Sequence, residues 1–126
     1  MRSFFAAILI TAAIIVGSFI YTAKMDRLSE EMLEKNKEIY SYVQGEDYEN
    51  AALTIKGARE HLESHSVMLW ATGDHSEIMQ LEVNLGELFE YVKASERSDA
   101  LAKCTEMEIL LRHMPKNYKI RLENIL

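Results

Sequence analysis

Asp74, His75 and Glu77 stand within four positions of one another in the stretch WATGDHSEI, and His61 and His65 lie one helical turn apart just before it. Two imidazoles at i and i+4 can face one zinc-like ion. The pair reads HLESH, however, with its glutamate in the middle of the turn, so it is not the H-E-x-x-H arrangement. His75 or Asp74 would lie too far along the chain to join that pair without a bend. The simpler reading of Asp74 and Glu77 is a capping box, in which an N-cap side chain accepts from the backbone three residues on and the later carboxylate reaches back. Trp70, Asp74, His75, Glu77 and Ile78 then form a structural motif at a helix start, with His61, His65 and His75 as the metal candidates ranked below it.

Other reactive residues are few and separated. Cys104 is the only cysteine, so it makes no internal disulfide and no cysteine-based cluster. At a seam position it behaves as a small hydrophobe. His113 is nine residues further on the same predicted helix, about 13 Å away and out of hydrogen-bonding reach. No glycine-rich phosphate loop or Ser-His-Asp set is present. The reading is therefore a protein that is not an enzyme and needs no cofactor.

What would position these residues begins with an anchor. Residues 4–23 carry no charge and only Thr11, Ser18 and Thr22 as mild polar interruptions. Twenty helical residues span about 30 Å, the thickness of a bilayer's hydrocarbon core. A cleaved signal peptide is the competing reading, but its apolar region is shorter, and Tyr21-Thr22-Ala23 places a bulky ring where a small residue is wanted. The expected organisation is a transmembrane anchor over residues 1–24 and a helical domain over residues 25–126. Beyond Arg2 the chain has 13 Lys and Arg against 20 Asp and Glu, which disfavours nucleic acid and anionic lipid as partners of the domain.

After the anchor, apolar residues recur at helical spacing in four blocks. Leu28, Met32, Ile39 and Val43 share one face, up to a break at Gln44-Gly45-Glu46-Asp47 where Gly45 is the expected C′ residue and Asp47 the expected N-cap. Ala51, Ile55, Ala58, Leu62, His65 and Leu69 form the second stripe, and Ile78, Leu81, Leu85, Leu88 and Val92, widened by Phe89, the third. The fourth runs Ala100, Cys104, Met107, Leu111 and Met114, after which Pro115 predicts a separate terminal helix or hook. His113 then sits at a helix end, where it meets the dipole. The acidic runs Ser29-Glu30-Glu31 and Glu60 to Glu63 read as solvated faces, and Tyr40, Tyr42, Tyr48 and Tyr91 as core caps near the turns, with a partner-binding patch as the alternative.

The stretches YVQGEDYENAAL and YVKASERSDALA echo each other at an offset of 49 residues, from Ala51 to Ala100. Two stacked hairpins would produce this. The fold class is all-α: a transmembrane helix running into an antiparallel four-helix bundle of two αα-hairpins.

Taken together, the anchor, W-x-x-x-D-H-x-E-I (Trp70 to Ile78), L-x-x-L-x-x-Y-V (Leu85 to Val92), L-L-x-H-M (Leu110 to Met114) and the terminal Asn124-Ile125-Leu126 resemble domain-of-unknown-function family 4363, small single-anchor proteins of low-GC Gram-positive bacteria. The resemblance implies an all-helical, membrane-anchored domain facing outward, and no activity. The resulting expectation is a single-pass cell-membrane protein, in the bilayer through residues 4–23. It would be an accessory or interaction module for a membrane-protein partner, with self-association through Ala6, Ala7, Ala12, Ala13 and Gly17 as a further option. The alternative is a metal or small-ligand sensor using His61 and His65.

Overall fold

The computed structural model describes the backbone of residues 1–67 and 75–125, and the side chains of residues 1–67 and 76–114. Four helices account for nearly all of it: α1 (Arg2–Gln44), α2 (Tyr48–Ser64), α3 (His75–Lys93) and α4 (Arg97–Ile125). Among the described residues there is no strand. Packing is extensive between α1 and α2, α3 and α4, α1 and α4, and α2 and α3, the neighbour pattern of a four-helix bundle.

The cross-contacts fix direction. Ser29 and Asn36 of α1 meet Leu111 and Cys104 of α4, Lys103 of α4 meets Glu87 of α3, and Glu31 of α1 meets His61 of α2. In each pair the earlier partner advances as the later one retreats, or the two flank a turn symmetrically, so these neighbours are antiparallel. The core contains every seam residue expected for α1, α3 and α4, with Leu85, Leu88, Val43, Ala51, Ile55 and Ala100 each fully buried.

α1 runs 43 residues without a break, about 65 Å at helical rise. Its first half is long and apolar enough to cross a membrane, and no residue of that window is buried. The three hydroxyls there are satisfied within the helix, each of Thr11, Ser18 and Thr22 donating to the carbonyl four residues back. That is the arrangement hydrocarbon demands. From Met25 onward the same helix turns its seam into the core.

The echo in the sequence is a structural repeat. Met32, Ile39, Val43, Ala51, Ile55 and Leu62 are buried, and so are Leu81, Leu88, Val92, Ala100, Cys104 and Leu111, each 49 positions later. The two turns match bond for bond. Glu46 N–H donates to Val43 and Asp47 N–H to Tyr42, while Ser95 N–H donates to Val92 and Glu96 N–H to Tyr91, all at 2.8–3.1 Å. This is the Schellman pairing.

It corrects the expectation for Gly45. That residue has φ −85°, and the left-handed positions are Glu46 at φ 58° and Ser95 at φ 55°. Side chains with a Cβ are strained there, by about 1–2 kcal/mol. Glu46→Gly and Ser95→Gly are each expected to raise unfolding stability by about 0.5–1 kcal/mol once the extra freedom of glycine in the unfolded chain is deducted. Chemical denaturation of the single and double variants checks this, with additive gains predicted for two distant turns. Asp47 is the N-cap expected of it, its carboxylate accepting from Asn50 N–H at 3.3 Å and Nδ2 at 2.7 Å.

Three further expectations are corrected. α2 stops at Ser64, with His65 as its C-cap and only half-buried rather than set in the seam. Leu69 lies outside the described residues. Ser29 is no part of a solvated face: it is 4 % exposed and its Oγ donates to the Leu111 carbonyl at 2.7 Å. That bond explains the third correction, because α4 continues through Pro115 to Ile125 instead of ending there. In a helix the Leu111 carbonyl would accept from residue 115, and proline has no N–H to give. Ser29 supplies the missing donor from the neighbouring helix. His113 is therefore exposed on a continuing helix, away from any helix end.

Candidate functional site

At the end of the bundle nearer the apolar half of α1, α2 brings His61 against Glu31 of α1, with Nε2 2.5 Å from Oε2. This is a close charge contact rather than an aligned hydrogen bond, and it becomes an ion pair when the imidazole is protonated. The His65 ring stands edge-on to that of His61, centroids 4.8 Å apart. His65 Nδ1 lies 2.9 Å from the His61 carbonyl. Nδ1 also lies 3.1 Å from Ser64 Oγ, so the tautomer decides whether it donates to the carbonyl or accepts from the hydroxyl. Among the described residues there is no group of three or more His, Cys, Asp or Glu side chains placed to hold a metal ion.

The other residues singled out for chemistry are spread over the bundle. His75 opens α3, Glu77 is half-buried in its first turn, and Ile78 is buried. Trp70 and Asp74, and with them the capping box, lie outside the described residues. Cys104 is buried in the seam of α4, and that burial pushes its thiol up to about 12. The thiolate is what attacks electrophiles, so at neutral pH this thiol is inert. Iodoacetamide at pH 8 is expected to modify native protein only through transient opening and the denatured chain rapidly, as mass spectrometry over time would show. Because the native thiol keeps its proton above the ordinary value near 9, its contribution to stability is complete below about pH 9 and declines as pH rises from 9 towards 12.

The tyrosines near the turns do cap the core: Tyr42, Tyr48 and Tyr91 pack on it half-buried, and Tyr40 is the more exposed of the four. Lys103 bridges α4 and α3, its Nζ 2.8 Å from both Glu106 and Glu87 carboxylates. Those two hydrogen bonds, Glu106 first, hold its ammonium charged well above the ordinary lysine range. A cleft of about 140 Å³ between α2 and α3 is lined by Arg59, Leu62, Glu63, Glu82 and Leu85.

The outer face of α3 was not anticipated. Met79 and Val83 are each 54 % exposed, and Gly86 follows on the same stripe. At the equivalent positions of the first repeat, α1 carries Glu30, Glu34 and Lys37, all exposed. Among the described residues, a β-carbon built on Gly86 would meet no atom within 4 Å, so nothing in their packing calls for a glycine. Mid-helix it costs about 1 kcal/mol against alanine. The signal was present in the sequence as a second 4-then-3 spacing on the third block, and comparison of the two repeats would have exposed it.

Residues 19–125 match the family described as Domain of unknown function (DUF4363). No curated protein and no solved structure matched the chain. With most of its length matched, the chain belongs to that family.

Proposed function

We propose that this DUF4363 member is a single-pass protein of the cell membrane whose outward-facing bundle is a non-catalytic interaction module, offering the outer face of α3 to a membrane-protein partner. The observation that carries the reading is the contrast between the repeats: Met79 and Val83 are exposed on α3, with half-buried Gly86 one turn on, where α1 bears Glu30, Glu34 and Lys37. An apolar stripe that ends in a glycine lets another helix approach closely there. The polar chemistry elsewhere supports an architectural part. Ser29 and Asn36 donate to α4 carbonyls, Arg97 donates to the Gln44 carbonyl, and Cys104 is shut in the core.

The test is the size of the native assembly. Full-length chain extracted gently from its own membrane is expected to migrate as a complex larger than the monomer, and Val83→Glu to return it to monomer size with its helical spectrum unchanged. Elution of the wild-type chain as a monomer in every mild detergent would sink the reading.

A second reading, ligand sensing, has one observation in its favour. Nδ1 of His65 lies 2.9 Å from a backbone carbonyl, the kind of contact that orients a ligating imidazole, and His61 with Glu31 stands beside it. Calorimetric titration of the full chain with zinc, repeated on His61→Ala and His65→Ala, discriminates: binding lost in both variants selects the sensor.

A further inference from the structure

We propose that the outer face of α3 receives a basic helix of another protein, which inserts a lysine or arginine side chain beside Gly86. The proposal rests on the interface reading above and adds the chemistry of the partner to it. Val83, Gly86, Glu87 and Glu90 are spaced i, i+3, i+4 and i+7, the four corners of the hole that takes one knob in helix–helix packing. Together with Tyr91 they line a shallow groove on the surface of α3. No side chain narrows it at Gly86, and Val83 is 54 % exposed beside it. Met79, exposed to the same extent, continues the apolar stripe one turn back.

The corners select the knob. Val83 and the bare backbone of Gly86 offer apolar contact to a methylene stem, while Glu87 and Glu90 offer carboxylates to the group that ends it. A long side chain with an apolar stem and a cationic tip satisfies both. An aliphatic knob would leave the carboxylates desolvated against apolar surface, and an acidic one would be repelled.

The chain's own cations do not balance this face. Glu87 shares Lys103 with Glu106, and Lys93, 3.7 Å from Glu90, leans over the Phe89 ring. Glu82 is exposed on the other flank of the stripe, so Glu82, Glu87, Glu90 and Glu106 stand against Lys93 and Lys103. The excess argues against a second copy of this chain as the occupant, since helix pairing in either direction would set acidic flank against acidic flank. The first repeat shows the difference. Its corresponding corners are Glu34, Lys37, Glu38 and Ser41, all exposed. There the chain supplies its own lysine where α3 has the glycine, and α3 leaves that place to a partner.

The test titrates the full chain, held in phosphatidylcholine nanodiscs, with a fluorescent helical peptide whose leucine stripe is interrupted and flanked by lysines. A twin peptide has glutamate for every lysine, and anisotropy is read against empty nanodiscs. Saturable binding is expected for the lysine peptide and none for its twin. Binding should weaken severalfold in Glu87→Gln/Glu90→Gln, and likewise for the wild type in about 1 M salt, where the Debye length is about 3 Å. Gly86→Leu keeps every charge and fills the hole, so saturable binding should be lost. Among the described residues no atom opposes a β-carbon at position 86, so the helical spectrum of that variant should match wild type. No saturable binding, equal binding of the two peptides, or undiminished binding by Gly86→Leu would overturn the proposal. The complex extracted from the native membrane separates the two claims. If Gly86→Leu breaks it while Glu87→Gln/Glu90→Gln and salt do not, α3 is the interface and the basic partner is wrong, as it is if tagged and untagged copies are recovered together through this face. If Gly86→Leu leaves the complex intact, the interface reading itself has failed and takes the partner with it.

Discussion

Leu85→Ala is expected to lower the unfolding free energy by about 2–5 kcal/mol, the range for removing a buried leucine whose site collapses only in part. Leu85 is fully buried on α3 and borders Leu62 of α2 at the cleft between those helices. In the first repeat its counterpart is Asn36, which turns its amide to the Cys104 carbonyl. The apolar filling at this level of the core therefore falls to the second repeat. Chemical denaturation followed by far-ultraviolet circular dichroism gives the number, and Val83→Ala, on the exposed stripe of the same helix, should remain within about 0.5 kcal/mol of wild type. Equal losses at both sites would mean that α3 is packed the other way round.

Ser29→Ala is expected to cost about 1–3 kcal/mol, because it leaves the Leu111 carbonyl buried without a donor. The loss should be conditional on the proline. In a Pro115→Ala background residue 115 regains an N–H, the Leu111 carbonyl is satisfied within α4, and removal of the serine hydroxyl should cost only a few tenths of a kcal/mol. The interaction energy of this double-mutant cycle is thus predicted at about 1–2 kcal/mol, measured by denaturant unfolding of the four chains. Additive effects would show that Ser29 does not compensate for Pro115. Helicity should report the same coupling, with Ser29→Ala alone losing signal from the turns beyond Met114.

These two residues also show where reading from sequence succeeds and where it fails. The seams of α1, α3 and α4 were legible because leucine, isoleucine, valine and methionine recur at the helical period and nothing local opposes it. Ser29 was not, since a serine beside two glutamates has the composition of a solvated face, and its partner is remote in the chain. Pro115 reads as a helix end for a sound local reason that a donor on another helix overrides. Gly45 drew attention as the residue best suited to a left-handed turn, yet the Schellman bonds at both turns place that conformation one residue later, on Glu46 and Ser95. His65 continues the apolar rhythm of α2 by spacing but serves as its cap. The candidate site was legible only in part: His61 and His65 do stand together, and Glu31 joined them through tertiary packing that spacing alone does not encode. The stripe on α3 emerged once the two repeats could be superposed position by position.

The central claim is that one uninterrupted helix both crosses the bilayer and supplies a wall of the bundle outside it. The most direct measurement is labelling of Ser98→Cys, in a Cys104→Ala background, with a membrane-impermeant maleimide on intact cells, followed by carbonate extraction. Ser98 is exposed in the first turn of α4, at the end of the bundle remote from the apolar segment. The account predicts full labelling before lysis and retention of the labelled chain in the membrane pellet. Labelling only after lysis would contradict the outward orientation, and release into the carbonate supernatant would contradict the anchor itself.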